Sequence, residues 1–271
     1  MDEFGLALGP QSGPVRENSF RIHTSGEPRH GGCEVIVRPA HESIQLITQP
    51  DHAQLARTIM EQCVDLAARP RRDAILYAIA EHDNGWMEED AAPTVNPVTG
   101  RVIDFVTAPL NVRHAVWPRG IARLAADPWA AALVAQHAIT VYDRFRSEAE
   151  WQSFFAEMEA ARGEMLLASG LPLHDLAADY PFVRLADLIS LTFCVGWTDE
   201  QRFGDWTIQL SGTRVVVTPD PFGGATTPIQ IDATVIRDQP FRSDEELREA
   251  VRDAGAITLW GEVAGGSSGQ K

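Results

Sequence analysis

His82 and Asp83 stand side by side at the end of the apolar, helix-like segment AIAEHDNGW. Burial of an isolated charge is costly, so a chain that places this pair in its interior must fold to bring it a partner. Four further residues that can act as ligands each lie in an apolar segment of their own: His52, His114, His137 and Asp187. The fold must therefore bring several segments to one polar centre, and imidazole and carboxylate groups together are typical metal ligands.

Hydrophobic periodicity places two of these histidines on the inner faces of predicted helices. A helix that opens near Pro50 carries His52 on the same stripe as its aliphatic residues. A second helix, from about Arg72 to Asp83, has an apolar stripe that ends at His82. Both histidines are therefore expected to point into the core.

His137 and Asp187 also fall in predicted buried helices. Asp127 followed by Pro128 is typical of a helix start, and the inner face of that helix includes His137. The segment FVRLADLISLTFCV, which begins at Phe182, is apolar nearly all round, and Asp187 is its only acidic residue. A carboxylate in that position needs a cation.

Two further segments complete the helical region. The connection over residues 85–128 contains Asn-Pro and Thr-Gly turn signals together with His114, and it is too long to be an idle loop in a compact domain. Ser147 and Glu150 have the spacing of a capping box, which predicts a helix that continues to about Leu167.

Alternating apolar and polar residues predict strands on both sides of the helical region. EVIVRP and SIQLITQ form a predicted hairpin, while TIQL, TRVVVTP, a longer strand, a helix capped by Ser243 and the strand AITLWGEV follow after residue 200. We expect an α+β fold with a predominantly helical metal-binding core at 33–200 and a small β-rich C-terminal part at 201–263. The N-terminal hairpin is expected to join the C-terminal sheet, and a separate small domain is the alternative. The ends, residues 1–32 and 264–271, are expected to be flexible.

The charge balance excludes several classes of function. A net charge of -15 argues against binding to a nucleic-acid backbone. The only lysine is Lys271, so lysine-dependent catalysis is excluded and arginine must bind any anion. Arg113 and Arg119, which flank His114, are the candidates. No run approaches the ~20 apolar residues that span a bilayer, and the three separated cysteines suggest no disulfide framework. We expect a cytoplasmic protein without membrane partners.

The motifs around the candidate ligands resemble a known superfamily. TQPDHAQLA, HDNGW, NPVTG, RHAVWPRGI, ISLTFCVGW and PDPF are similar to motifs of an uncharacterised bacterial family that is distantly related to the HD-domain superfamily of helical metalloproteins. The likeness runs from about Cys33 to Val263. It implies an HD-like fold for the helical core and a metal centre within it.

The resemblance also implies a role for each ligand. In HD proteins two histidines and two aspartates hold one metal, and here they correspond to His52, His82, Asp83 and Asp187. The additional histidines of binuclear members correspond to His114 and His137, and Asp83 would bridge two divalent or mixed-valent ions. Iron or manganese suits this set best, with magnesium or zinc as alternatives. Many binuclear members carry lysine or histidine after the His-Asp-x-Gly turn, and this chain departs from their pattern because it has Trp86 there.

Three functions are compatible with such a centre. The first is a metal-dependent hydrolase of a phosphoester or another small anionic substrate, in which Asp83, Arg113 and Arg119 act at the reacting group and Trp86 and Trp117 line the substrate pocket. The second is an HD-type mixed-valent di-iron oxygenase that cleaves a small organic substrate. The third is a sensor or binding module with a degenerate site. The oligomeric state stays open at this point.

Overall fold

The computed structural model describes residues 35–266. Its helices are α1 (Gln49–Met60), α2 (Val64–Ala67), α3 (Arg72–Glu81), α4 (Met87–Asp90), α5 (Leu110–Arg123), α6 (Pro128–Val141), α7 (Gln152–Ser169), α8 (Leu173–Leu191) and α9 (Asp244–Arg252). Its strands are β1 (Ile36–Ala40), β2 (Ser43–Ile47), β3 (Gln201–Phe203), β4 (Trp206–Ser211), β5 (Arg214–Thr218), β6 (Thr226–Arg237) and β7 (Gly255–Gly265). The α+β class is confirmed, and the HD-like arrangement of the helices stays a prediction. Within this part of the chain, no helix is both long and apolar enough to cross a bilayer.

One seven-stranded sheet contains strands from both ends of the described chain. The strand order is β1-β2-β6-β7-β5-β4-β3, and β2 pairs antiparallel with β6, where Leu46 is opposite Thr234. The N-terminal hairpin therefore joins the C-terminal strands, and all described residues belong to one compact unit. Strand β7 continues to Gly265, so residues 264 and 265 belong to the sheet and not to the predicted flexible tail. The flexible segment predicted at 1–32 lies outside the described residues.

Helix α1 connects the sheet to the helical layer. It begins at Gln49, and the side chain of Thr48 caps it by accepting a hydrogen bond from the backbone N–H of Asp51. Proline in its first turn is favourable, because a first-turn N–H has no partner within the helix. The helix packs against α3, α8 and β6, so one face of it reaches the centre of the molecule.

Several helices differ from the sequence prediction, among them the short helix α4, which lies within the predicted connection over residues 85–128. Helix α5 lies in the segment predicted as a connection, and Pro118 inside it obscured the helical pattern. Helix α8 begins at Leu173 and not at Phe182, so it contains further acidic residues besides Asp187. Helix α7 begins at Gln152 after a 3-10 turn, and not at Ser147 as predicted. The structure shows no side-chain capping hydrogen bond at the start of the turn or of the helix.

Candidate metal centre

Five of the predicted ligands come together from four helices that pack on one another. His52 lies in α1, His82 and Asp83 directly follow α3, His137 lies in α6, and Asp187 lies in α8. Helix α1 contacts α3 and α8, and both of these contact α6. All five residues are buried, so the side chains meet in the interior of the helical layer.

The turn after Asp83 is held by a close approach to α5. Residues Asn84–Trp86 form a 3-10 turn, and a Cβ at Gly85 would lie 2.0 Å from the carbonyl oxygen of Val116. Glycine is therefore required at this position, since any side chain would overlap the backbone of α5. The HDNGW motif thus fixes the direction in which the chain leaves the His-Asp pair.

His52, His82 and Asp83 form the first group of potential ligands. The Nε2 atom of His52 lies 3.1 Å from Nε2 of His82 and 3.0 Å from Oδ2 of Asp83. The same Asp83 oxygen is 3.2 Å from Nε2 of His82. Three potential ligand atoms therefore face one point.

Asp187 connects this group to a second one, which consists of His82, His137 and Asp187. Its Oδ1 lies 3.7 Å from Nε2 of His52 and 3.6 Å from Nε2 of His82. Its Oδ2 lies 3.6 Å from Nε2 of His137. The carboxylate that reaches both groups is therefore Asp187, whereas the sequence resemblance gives the bridging role to Asp83.

Hydrogen bonds on the far side of two rings determine which nitrogen faces the cluster. Nδ1 of His82 lies 2.8 Å from the carbonyl oxygen of Ile79, which only accepts, so Nδ1 carries the hydrogen. Ser190 donates to the carbonyl oxygen of Asp187 at 3.1 Å, and its Oγ therefore accepts from Nδ1 of His52 at 2.7 Å. In their neutral forms both rings present an Nε2 lone pair to the cluster, which is the form that binds metals.

The electrostatics of the cluster require a cation. Two imidazole lone pairs and a carboxylate oxygen that face each other at about 3 Å repel unless a proton or a metal ion lies among them. Although burial opposes it, the carboxylates of Asp83 and Asp187 raise the pKa of His82 well above its usual range. Against the effect of burial, the neighbouring histidines lower the pKa values of both carboxyl groups. A proton on His82 therefore occupies the place that a metal ion would take.

His137 differs from His82 because its ring stays neutral. Burial lowers its pKa to about 3, although Asp187 partly opposes this effect. Its Nδ1 lies 3.3 Å from the hydroxyl of Tyr180, and burial raises the pKa of that hydroxyl. The ring can therefore act as a ligand without first losing a proton.

His114 lies apart from these two groups. It belongs to neither set of potential ligands among the described residues. Its ring stacks on Phe154 at 5.0 Å and meets Trp151 edge to face at 4.8 Å. Its Nε2 is buried without a hydrogen-bond partner, and burial, together with Arg113, lowers its pKa. The structure thus brings together five of the six predicted ligands.

The two arginines predicted to bind substrate have other partners. Arg119 donates two hydrogen bonds to the carboxylate of Glu89, at 2.7 and 2.8 Å. Arg113 donates to the carbonyl oxygen of Ala108 at 2.7 Å and lies over the ring of Trp151. Neither guanidinium has a contact with the cluster in the structure.

The two tryptophans predicted to line the substrate pocket are buried. Trp117 lies 5.8 Å from the ring of His137, so it covers one side of the cluster. Trp86 forms the end of the 3-10 turn that follows Asp83.

Sequence reasoning missed three residues that contact the ligands, namely Tyr180, Arg184 and Ser190. Arg184 is hydrogen-bonded to Oδ2 of Asp187 and keeps 22% of its side chain exposed. Arg184 and Ser190 each lie three residues from Asp187 in α8, so i,i+3 spacing from that carboxylate could have identified both of them.

One comparison with known proteins gave a match. No similar protein was found among curated proteins or solved structures. The sequence matches the family described as "Protein of unknown function (DUF3891)" over residues 35–241. This range includes the five clustered side chains and the three contacting residues. The chain therefore belongs to the DUF3891 family.

Proposed function

We propose that the protein is a metal-dependent hydrolase of a small anionic substrate, with a phosphoester as the first candidate. The observation that carries this proposal is the convergence of three imidazoles and two carboxylates in the interior of the helical layer. Such a set is costly to bury without a cation, and nitrogen and oxygen ligands of this kind suit iron and manganese.

His52, His82, Asp83 and Asp187 would hold the first ion, in the pattern implied by the resemblance to HD-domain proteins. His137 and the second oxygen of Asp187 are the groups available for another ion. The donor set fits, because the hydrogen bonds at Nδ1 leave the Nε2 atoms of His52 and His82 free to bind. When bound, a divalent ion lowers the pKa of a coordinated water and neutralises negative charge on a phosphoryl oxygen.

Arg184 is the residue that would bind the anionic group. Its guanidinium contacts Asp187, and its partial exposure places it between the buried ligands and solvent. Guanidinium groups bind phosphate oxygens through paired hydrogen bonds. This role replaces the one expected for Arg113 and Arg119, whose hydrogen bonds go to other groups.

The two alternative functions receive less support from the geometry. The di-iron oxygenase needs the complete six-ligand set, and His114 packs among aromatic rings away from the other five. A sensor with a degenerate site would be expected to have lost ligands or their supporting hydrogen bonds. Here His52 and His82 keep such bonds to Ser190 and Ile79.

The test is turnover of generic phosphoesters by the full chain loaded with Mn²⁺ or Fe²⁺. We expect hydrolysis of p-nitrophenyl phosphate, its bis ester or nucleotides that stops on chelation. Arg184→Met is expected to raise KM by roughly tenfold with unchanged metal content, because one charge-assisted contact is lost. Arg57→Met, which removes an exposed arginine on α1, is the matched control and should leave KM unchanged. A loaded protein that hydrolyses none of these esters, or one that stays active after chelation, would contradict the proposal.

A further inference from the structure

A second pocket lies where the N-terminal hairpin meets the end of α8. It has a volume of about 500 Å³ and is lined by Arg38 and Pro39 of β1 and by residues 195–199 and Gln201. None of the five clustered ligands lines it. Its chemistry is therefore separate from that of the candidate metal centre.

Among the described residues, Arg38 is the only cationic side chain that lines this pocket, and it lies partly buried. One of its terminal nitrogens donates a hydrogen bond to the carbonyl oxygen of Phe193, and its guanidinium also lies 5.7 Å from the centre of that residue's ring. A guanidinium has five N–H donors in a planar fork. The contacts with Phe193 leave most of these donors available to a ligand.

No carboxylate in residues 35–266 forms an ion pair with Arg38. Asp199 lines the same pocket without pairing with it. Burial lowers the pKa of Arg38, so the cost of partial desolvation is not offset by a nearby acid. A half-buried cation without a counter-charge is stabilised when an anion binds.

Gly196 and Trp197 shape the space beside the guanidinium. Gly196 has a φ of 78°, and a Cβ at this position would lie 3.3 Å from the central carbon of the Arg38 guanidinium. Glycine therefore permits both the turn and the close approach. Trp197, which follows it, lines the pocket and is half-buried, so the pocket that contains the cation also has an aromatic surface.

We propose that this pocket binds a small molecule through an oxyanion group, a carboxylate or a phosphate, which pairs with the guanidinium of Arg38 while the apolar part of the ligand packs on Trp197. The unpaired guanidinium, the glycine that gives it room and the adjoining indole support this assignment together. The pocket needs no metal. Whether the pocket binds a ligand therefore does not depend on whether the protein is a hydrolase.

Calorimetric titration of the chelator-treated full chain with inorganic phosphate and with benzoate tests the proposal. We expect saturable binding of at least one of them, with one site per chain. Binding of phosphate alone would identify a phosphate group as the ligand's anion, and binding of benzoate alone would identify a carboxylate. Arg38→Met should weaken the binding by about tenfold or more. Arg202→Met, which removes an exposed arginine of β3, is the matched control and should not affect it.

Arg38→Lys provides a second variant, because it keeps the charge and loses the planar fork. It should fold like the wild type and bind the anion more weakly. Absence of binding by the wild type up to 10 mM of either probe (roughly the range of weak anion sites) would overturn the proposal. Equal binding by the wild type and the lysine variant, or binding that appears only after metal is added, would also overturn it.

Discussion

Two buried aspartates of α8, Asp179 and Asp187, have opposite surroundings although they lie about two turns apart on one helix. Asp179 accepts hydrogen bonds from Nε of Arg71 at 2.6 Å and from Nε1 of Trp129 at 3.2 Å. Asp187 lies among three imidazoles, with Arg184 at its outer side. The first carboxylate has partners that are permanent donors, and the second has partners that are themselves metal ligands.

The difference separates a structural buried charge from a functional one. Arginine and indole N–H groups can only donate, so the charge of Asp179 is compensated within the protein. The Nε2 atoms of His52 and His82 present lone pairs in the neutral rings, so Asp187 needs a proton or a metal ion among its neighbours. Burial of a carboxylate therefore does not by itself indicate a metal centre, whereas burial among further acceptors does.

The same contrast divides the helical layer from the sheet. Buried polar side chains in the described part of the chain all lie between Gln49 and Thr192. The buried residues of strands β3 to β7 are apolar. The sheet thus contributes only apolar side chains to the core. The chemistry that we propose for the helical layer depends on the few polar groups that are buried there.

The largest expected effect follows from Asp187→Asn. It removes the charge that both ligand groups share. Loss of a group that only supports a ligand through a hydrogen bond lowers metal affinity by up to about a hundredfold. We therefore expect loss of the Asp187 charge to lower the affinity for Mn²⁺ by more than this. Titration of the chelator-treated variant by calorimetry measures this. If the variant binds Mn²⁺ with the affinity of the wild type, Asp187 is not a ligand of the centre.

Asp179→Asn is the matched substitution on the same helix. It removes the closer of the two carboxylates that pair with Arg71, at 2.6 Å, and leaves only Asp175 at 3.5 Å. We therefore expect a loss of about 2 kcal/mol in the free energy of unfolding and unchanged metal affinity. The loss should stay below the cost for a fully buried pair, because the side chain of Arg71 is 22% exposed. Urea unfolding and the same metal titration provide the two measurements. If Asp179→Asn lowers the metal affinity as much as Asp187→Asn does, the assignment of a structural role to Asp179 and a metal-binding role to Asp187 is wrong.

Ser190→Ala should have a smaller effect on the centre. The substitution removes the oxygen that accepts from Nδ1 of His52, so the ring loses its fixed orientation and metal affinity should fall about tenfold. Ser153→Ala on the exposed face of α7 is the control and should bind metal like the wild type. If both variants bind equally, Ser190 does not position the ligand.

The smallest expected effect on metal binding concerns Asp90, which is not one of the candidate ligands. Burial raises its pKa to about 8, with help from Asp83. The folded state then retains a proton that the unfolded state releases near pH 4, so the free energy of unfolding falls as the pH rises from 4 to 8. Asp90→Asn should reduce this slope by about 1 kcal/mol per pH unit between pH 5 and 8, measured in chelator. Asp205→Asn, at an exposed turn, should leave the slope unchanged. A slope in Asp90→Asn equal to that of the wild type would refute this role.

The sequence predicted much of the candidate site, because inward-facing positions follow from helical periodicity. His52 and His137 were found in this way, and the acid within an apolar helix identified Asp187. His114 could not be placed, since its helix contains Pro118 and periodicity does not tell which neighbours a buried ring meets. The role of Arg184 was missed because contact with Asp187 depends on the packing and exposure of α8.

The fold was predictable to a similar degree. The alternation in the hairpin and the C-terminal region predicted the strands, and the pairing of β2 with β6 follows from the need of both to complete one sheet. The start of α8 and the whole of α5 were not predictable, because Pro181 and Pro118 lie inside these helices. Tertiary packing here outweighs the local preference against proline.

Metal content and thermal unfolding of the wild-type chain, measured before and after chelation, test the central claim most directly. We predict at least one equivalent of iron, manganese or zinc per chain by elemental analysis, and a Tm that falls on chelation and recovers when the metal is returned. Two equivalents would indicate that His137 and Asp187 hold a second ion. A chain that takes up no metal from solutions of these ions, and whose Tm is the same with and without chelator, would contradict the account.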